Sequence, residues 1–488
     1  MKSLKHNATM NVILNISNMV FPLITYPYVA RALLVEANGR LSFAQSVVSY
    51  FALFATLGIT TYGIKACAQV RDNKEELSRR VQELVIINIF TTLIAFVALG
   101  IAIIFVGRLR SEWLLLLIYS SNMILNVAGL NWLYAGLEKY DYITIRSIIV
   151  KLVSLVLILV FIHHPKDCYI YACITIFANV GSNIFNIIYA RKFISFKPQG
   201  HYNIKQHLKP TIMMFSTFLA SNVYMNLDNT MLGFIKGNYE VGIYYTAVRI
   251  QVVLGTFVTS VTSVLLPRMS YYFEKGETAE LKRILKKSYR VLLMVSVPIV
   301  VFFIIFAKEA ILLIAGPDFV DAIVPTQVIM SCVLMMVITN LIGVQILIPS
   351  GKENQYMYAV LTGAVVDLAL NSFMIPLWGA LGAAIATLAA QTAQAAVQII
   401  MAKEYVKYMI NLKKTIVVAC VTLAASLVSV TVRHFVTLSF IKQFIMLGAV
   451  FFGVYGLILW IIDDEDFTET VEFFTKGLIK RHRKKKAE

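Results

Sequence analysis

The chain has 488 residues, 58% of them hydrophobic, and a mean hydropathy of +0.73. A soluble domain of that size cannot cover so much apolar surface, so an ordinary water-soluble fold is excluded and lipid is the solvent for most of the chain. The net charge of +17 sits in loops without an aromatic-basic surface, which excludes nucleic acid as a partner.

The opening Met1-Lys2-Ser3-Leu4-Lys5 has the form of a secretory signal. The run behind it carries Pro22 and Pro27 and ends in Tyr28-Val29-Ala30-Arg31, with no small-residue cleavage pattern, so it reads as a retained first span. The apolar runs are continuous rather than alternating, which selects helices. Fourteen are predicted, at 8–30, 41–64, 82–106, 113–136, 143–162, 169–190, 208–234, 241–267, 289–307, 323–348, 356–376, 379–402, 414–432 and 441–462. Of the 44 Lys and Arg, counting those near a span's ends, and Arg146 and Lys151 of the fifth span, with the adjoining gap, 34 belong to every second gap, nine to the other gaps, and one, Arg249, lies inside a run. By the positive-inside rule that bias places both termini in the cytoplasm and supports an even number of spans.

Two of the basic loops look like surface helices. Asn73-Lys74-Glu75-Glu76 is a capping-type start with Leu77, Val81 and Leu84 at helical spacing. Glu277-Thr278-Ala279-Glu280 leads into Leu281, Ile284 and Leu285 on one face. Each fits a helix lying in the interface or a solvated loop. The same loops help to define an internal echo. Asn38-Gly39-Arg40-Leu41-Ser42-Phe43 precedes a helix and the first loop, and Asn238-Tyr239-Glu240-Val241-Gly242-Ile243 precedes a helix and the second, about 200 residues later. Ala135-Gly136-Leu137-Glu138 and Ser350-Gly351-Lys352-Glu353 form a second pair.

The echoes predict two six-helix lobes in parallel, pseudo-twofold repeat. The N-terminal lobe covers 1–190, a cytoplasmic linker 191–207, the C-terminal lobe 208–402, two appended helices 403–462, and a basic cytoplasmic tail 463–488. An all-α polytopic membrane protein is the expected fold class.

Three ionisable residues fall within spans: Asp228 in the seventh, Arg249 in the eighth and Asp367 in the eleventh. An intramembrane charge costs at least about 2.5–3.5 kcal/mol at the helix centre, so each needs a partner or a wet cavity. Arg249 fits a cationic spot for an anionic headgroup, since guanidinium grips phosphate oxygens with two parallel hydrogen bonds. It equally fits an ion pair with Asp228. Arg31, after the prolines of the first span, extends the cavity's charge or snorkels to the interface. Tyr26, Tyr28, Tyr224, Tyr244 and Tyr245 cluster near outer helix ends, as interfacial belt or as sugar-stacking platforms. Gly379, Gly382, Ala383, Ala384 and Ala386 read as a packing face, and Pro298 as a further helix kink.

Catalytic constellations are missing. There is no Walker sequence, no paired external carboxylates, and no large loop of the kind a membrane glycosyltransferase or polymerase exposes. The five cysteines are scattered without metal-ligand spacing. Neither an enzyme nor a cofactor is expected; a coupling proton or sodium ion stays open.

The segments Tyr26-Pro27-Tyr28-Val29-Ala30-Arg31-Ala32-Leu33, Gly39-Arg40-Leu41-Ser42-Phe43-Ala44-Gln45, Leu57-Gly58-Ile59 and Tyr62-Gly63-Ile64-Lys65 resemble bacterial polysaccharide flippases of the Wzx (O-antigen) type. These share a superfamily with MATE multidrug exporters and lipid II flippases. Further matches are Asn226-Leu227-Asp228-Asn229-Thr230-Met231-Leu232-Gly233, Val241-Gly242-Ile243-Tyr244, Pro267-Arg268-Met269-Ser270 and Gly379-Ala380-Leu381-Gly382-Ala383-Ala384. The resemblance covers nearly the whole chain.

It implies translocation of an undecaprenyl-pyrophosphate-linked oligosaccharide from the cytoplasmic to the periplasmic leaflet of the bacterial inner membrane. It further implies alternating access of a cationic cavity and cooperation with polysaccharide polymerase or glycosyltransferase machinery. It places Arg249 at a basic position usual early in the eighth helix and Asp228 at an acidic position of the seventh. Asp367 stands where relatives often carry a neutral residue, and the basic cavity is sparser than in the family. The competing readings are a cation-coupled drug exporter, which the carboxylates would serve, a membrane glycosyltransferase or polymerase, and a non-transporting scaffold whose basic tail, Lys480 to Lys486, recruits partners or anionic lipid.

Overall fold

The computed structural model describes residues 4–468, apart from 199, 264, 265, 437 and 465. The basic tail read at 480–486 lies outside them. The described chain is helical, with no strand among the described residues. In order the helices are α1 (Leu4–Thr56), α2 (Ile59–Ala68), α3 (Lys74–Phe105), α4 (Gly107–Ser111), α5 (Trp113–Val127), α6 (Asn131–Gly136), α7 (Tyr140–Phe161), α8 (Cys168–Ile176), α9 (Asn183–Ala190) and α10 (Lys205–Ile235). They continue as α11 (Asn238–Ser263), α12 (Leu266–Lys275), α13 (Thr278–Ile305), α14 (Ala307–Ile314), α15 (Ile323–Thr339), α16 (Glu353–Met401), α17 (Lys403–Met409), α18 (Leu412–Phe435) and α19 (Phe440–Ile461).

Among the described residues eleven stretches are long and apolar enough to cross a bilayer, and the chain is a multi-pass membrane protein. Two of the eleven, Thr9–Ala68 and Glu353–Met401, are each long enough for two crossings. Both break in the middle. In α1 the break is at Leu34 (φ 61°), where a non-glycine residue in the left-handed region is strained; Asn38 Nδ2 donates to the Leu34 carbonyl at 2.7 Å and ties the turn. In α16 it is at Gly379 (φ 55°), where the absence of Cβ removes the penalty. Glu240 Oε2 accepts from the Ala380 N–H at 2.6 Å, a carboxylate at the start of the second half-helix. Counted as two crossings each, these helices bring the total to thirteen. Helix α10, the remaining expected span, has the length but is not among the eleven.

By contacts the chain forms two compact units. Unit 1 is Met1–Tyr245 with Ile375–Ala380; unit 2 is Thr246–Met374 with Leu381–Glu488. The divide falls within α11 and α16, so α10 groups with the first nine helices.

Neither expected surface helix exists as a separate element. Asn73 does cap α3, its Oδ1 accepting from the Glu75 and Glu76 N–H groups at 3.1 Å, but the segment continues straight into a 32-residue helix. Leu77, Val81 and Leu84 are buried in the core of unit 1 with Ile59, Cys67, Leu133 and Tyr134. Likewise Leu281 and Leu285 begin α13 and pack with Leu341 and Ile346 in unit 2. Packing against neighbouring helices wins over lipid contact because those faces meet close partners rather than fluid chains. The appended pair α18 and α19 is held to α13 by Phe302, Phe306, Leu447 and Phe451 and by Arg290 against Asp466, while Lys414 of α18 pairs with Asp464 and Asp466 just after α19.

Candidate functional site

The second half of α1 places Gln45, Ser49 and Thr56 on one face, at spacings of four and seven residues. That face lines a pocket of about 300 Å³ inside unit 1. Helix α5 contributes Tyr119 and Asn122, and Asn179 enters from a π-turn at Phe177–Gly181 that follows α8. A π-turn adds a residue to the helix and re-aims the side chains on it, a device common at functional sites. Ser49 donates to the Ser46 carbonyl (2.6 Å) and Thr56 to that of Leu53 (3.1 Å), so both hydroxyls keep acceptor capacity toward the pocket. Asn122 Oδ1 accepts from Asn126 Nδ2 at 3.2 Å. The pocket is uncharged and mixed: these amides and hydroxyls stand among Val48, Ala52, Leu53 and Ile176, a lining that fits a ligand with both hydroxyls and apolar faces.

A cation missed by the sequence reading lies in the same unit. Lys151 had been counted among the basic gap residues, but α7 runs Tyr140–Phe161 and puts it at mid-span, 8% exposed. Its Nζ donates to Ser17 Oγ (3.1 Å) and to Asn18 Oδ1, both on α1. Arg146, one turn earlier on α7, donates to Asn131 Oδ1 at 2.9 Å and stands over the Tyr142 ring. Both already fall inside the predicted span 143–162, but counting them with the basic gap before it hid their embedded position. The described spans therefore hold more cations than Arg249.

The four residues singled out from sequence divide between the units. In unit 1, Arg31 is exposed on α1, three residues before the Leu34 break. Asp228 is buried near the end of α10, where its carboxylate accepts from the Tyr244 hydroxyl. In unit 2, Arg249 is half-buried at the middle of the Asn238–Thr259 span. Helix α11 begins at Asn238, eleven residues earlier, so Arg249 stands about 16 Å along it, deeper than a start at 241 implied. Asp367 is fully buried in the first half of α16, with Asn371 equally buried one turn on. Tyr26 and Tyr244 are buried, not interfacial, and Tyr26 meets Tyr245 edge-on at 5.9 Å. The Tyr224 side chain lies outside the described residues.

The two echoing segments pack on each other within unit 1. Gly39 lies so close to Asn238 that a Cβ would stand 2.7 Å from the Asn238 carbonyl carbon and overlap its oxygen. Gly242 makes the matching approach to the Val35 carbonyl, and Gly233 receives the Phe43 ring. A buried polar network surrounds this contact. Arg40 Nε reaches both Glu112 oxygens at 3.0 Å and its Nη2 donates to the Tyr169 hydroxyl at 2.7 Å. Asn238 Nδ2 donates to Glu112 Oε1 (3.0 Å), while Arg108 donates to Asn238 Oδ1 (2.6 Å) and the Gly233 carbonyl (2.7 Å). Arg40 and Arg108 thus hold α1, α4, α8, α10, α11 and the Glu112 turn before α5 together, where sequence showed only two outer-loop charges.

The model of the polysaccharide biosynthesis protein family matches residues 4–273, and that of the MatE family residues 213–374. An Escherichia coli K12 protein provisionally named an O-antigen transporter is 22% identical over 396 residues, 80% of this chain and 94% of its own length. The capsular polysaccharide biosynthesis protein CapF of Staphylococcus aureus is 21% identical, covering 72% of this chain and 87% of its own. Among solved structures, the lipid II flippase MurJ in an inward closed conformation aligns over 97% of this chain and 100% of its own with a TM-score of 0.72 at 15% identity. An inward-facing MATE multidrug transporter covers 82% of this chain and 98% of its own at 0.61 and 14% identity. The chain has the MurJ and MATE fold and belongs to the polysaccharide biosynthesis protein family.

Proposed function

We propose that the protein is a flippase carrying a polyprenyl-pyrophosphate-linked oligosaccharide, such as an O-antigen unit, from the cytoplasmic to the outer leaflet of the bacterial inner membrane. The observation that carries this reading is the uncharged pocket in which Gln45, Ser49, Asn122 and Asn179 stand among apolar side chains within a membrane-spanning bundle. The amides and hydroxyls offer partners for sugar hydroxyls, and the apolar walls offer contact to the faces of sugar rings. The mid-span cation Arg249 supplies the pull on the pyrophosphate, and Lys151 is a second mid-span cation, within unit 1. The named relatives are a provisionally named O-antigen transporter and a capsular polysaccharide biosynthesis protein, and the protein is a transporter rather than an enzyme. The charge bias puts both termini in the cytoplasm, where glycosyltransferases assemble the cargo.

In this reading the pocket works by alternating access. The contact of Gly39 on Asn238 and Gly242 on Val35, with its Arg40–Glu112–Asn238–Arg108 network, is the outer closure. Its groups pair with one another while shut and must find water when open, so the closure can be stable without being permanent.

The pocket is tested by Gln45→Ala, Asn122→Ala and Asn179→Ala. Each removes a sugar contact worth about 1 kcal/mol, so each lowers transport of the oligosaccharide-bearing lipid roughly fivefold. Transport of the same polyprenyl pyrophosphate with a single sugar changes little. Equal loss for both substrates, or none for either, contradicts the assignment. One observation favours a second reading, a cation-coupled exporter: Asp367 is a wholly buried carboxylate at mid-span, a fit for a coupling proton or sodium ion.

A further inference from the structure

A second cavity of about 590 Å³ opens on unit 1, away from the polar pocket, between α3, α5 and α9. Its walls are Val85, Ile89, Leu93 and Phe96 of α3, Ile124 of α5 and Ile187 of α9. Gln82 and Phe96 mark its ends on α3, fourteen residues or about 21 Å apart. Half of a hydrocarbon core is about 15 Å, so the groove has the length of one leaflet's chain plus the ester region. A polyprenyl chain several times longer does not fit within it.

The mouth differs from the walls. Gln82 Nε2 donates to the Ser195 and Lys197 carbonyls (2.7 and 2.9 Å), and its Oε1 accepts from the Tyr202 hydroxyl at 2.8 Å. These bonds hold Ser195, Lys197 and Tyr202 at the end of the groove, with the Lys197 side chain exposed at its rim. Arg79 precedes Gln82 by three residues on the same face of α3. The segment from Arg191 to Lys209 carries five Lys and Arg and no acidic residue. An apolar, leaflet-length slot under a basic rim is complementary to a lipid with one negative headgroup.

We propose that this groove is a binding site for one acyl chain of an anionic phospholipid, whose headgroup rests between Arg79 and Lys197. The site is independent of the cargo: the lipid is a resident ligand of unit 1, bound whether or not the protein is a flippase.

The test is native mass spectrometry of the full-length protein in detergent, titrated with phosphatidylglycerol, with phosphatidylcholine of the same chains, and with glycerol 3-phosphate. One phosphatidylglycerol binds at least tenfold more tightly than phosphatidylcholine, and glycerol 3-phosphate does not bind. Ala128→Trp, which fills the groove, lowers phosphatidylglycerol affinity about tenfold. The pair Arg79→Gln and Lys197→Gln removes the headgroup preference while leaving chain binding. In the unaltered protein, a phosphatidylglycerol with a photoreactive acyl chain labels the 85–96 stretch of α3. Labelling elsewhere, equal binding of the two phospholipids, or an unchanged Ala128→Trp overturns the proposal. So does binding of glycerol 3-phosphate as tight as that of the phospholipid.

Discussion

Export of the oligosaccharide falls at least tenfold in Gly39→Val, with the protein still present in the membrane. The cause is steric and backbone-deep. Any Cβ at 39 overlaps the Asn238 carbonyl oxygen and comes within 2.9 Å of the Gly242 nitrogen, and no rotamer change relieves a main-chain clash. Overpacking of this kind costs about 1–3 kcal/mol, which moves the closed-to-open balance by roughly five- to 150-fold. A transporter that cannot shut its outer end does not cycle.

The structural reading of the clash is separable from simple misfolding. Ser46 is 2% exposed, and its hydroxyl lies 3.0 Å from that of Thr230. A cysteine placed at 46 is therefore shielded from an impermeant thiol reagent in the parent and becomes labelled when Gly39→Val is added. Gly100, with nothing within 4 Å of its would-be Cβ, is the control: Gly100→Val leaves export and labelling unchanged. Gly39→Val with normal export would show that the contact is not part of the transport cycle.

Arg249→Ala abolishes export more completely, by about a hundredfold at unchanged protein level. Loss of a charge-assisted contact to phosphate removes about 3 kcal/mol, and the mid-span position offers water no easy route to replace it. Arg249→Lys keeps the charge but not the planar fork, so it recovers part of the loss. This partial rescue is what a merely structural guanidinium would not show in transport of a sugar-free polyprenyl phosphate. Equal activity of Arg249→Ala and parent would remove Arg249 from the cargo site and leave Lys151 as the cation to examine.

The sequence was legible where physics is local. Apolar length alone locates the spans, Asn73 announces the start of α3, and the echo between residues 38–43 and 238–243 names two segments that the fold brings into contact. It was less legible where meaning depends on neighbours. Gln45, Asn122 and Asn179 are ordinary residues until three elements and a π-turn aim them at one pocket. Lys151 falls inside the predicted span 143–162 yet counts with the basic gap before it, and only Ser17 and Asn18 opposite it on α1 show it to be a partnered intramembrane cation. The breaks at Leu34 and Gly379 were expected as loops or plain helix ends, because one backbone angle turns a helix without any change in composition.

The flippase reading is tested most directly with the purified protein in liposomes containing a fluorescent polyprenyl-pyrophosphate oligosaccharide in both leaflets, followed by an impermeant quencher. The protein is expected to bring the inner-leaflet cargo within reach of the quencher over minutes, and the Arg249→Ala protein to leave it protected. Inner-leaflet cargo that stays protected with the parent protein, in vesicles that take up a cationic drug under an ion gradient, would contradict the flippase and establish the exporter.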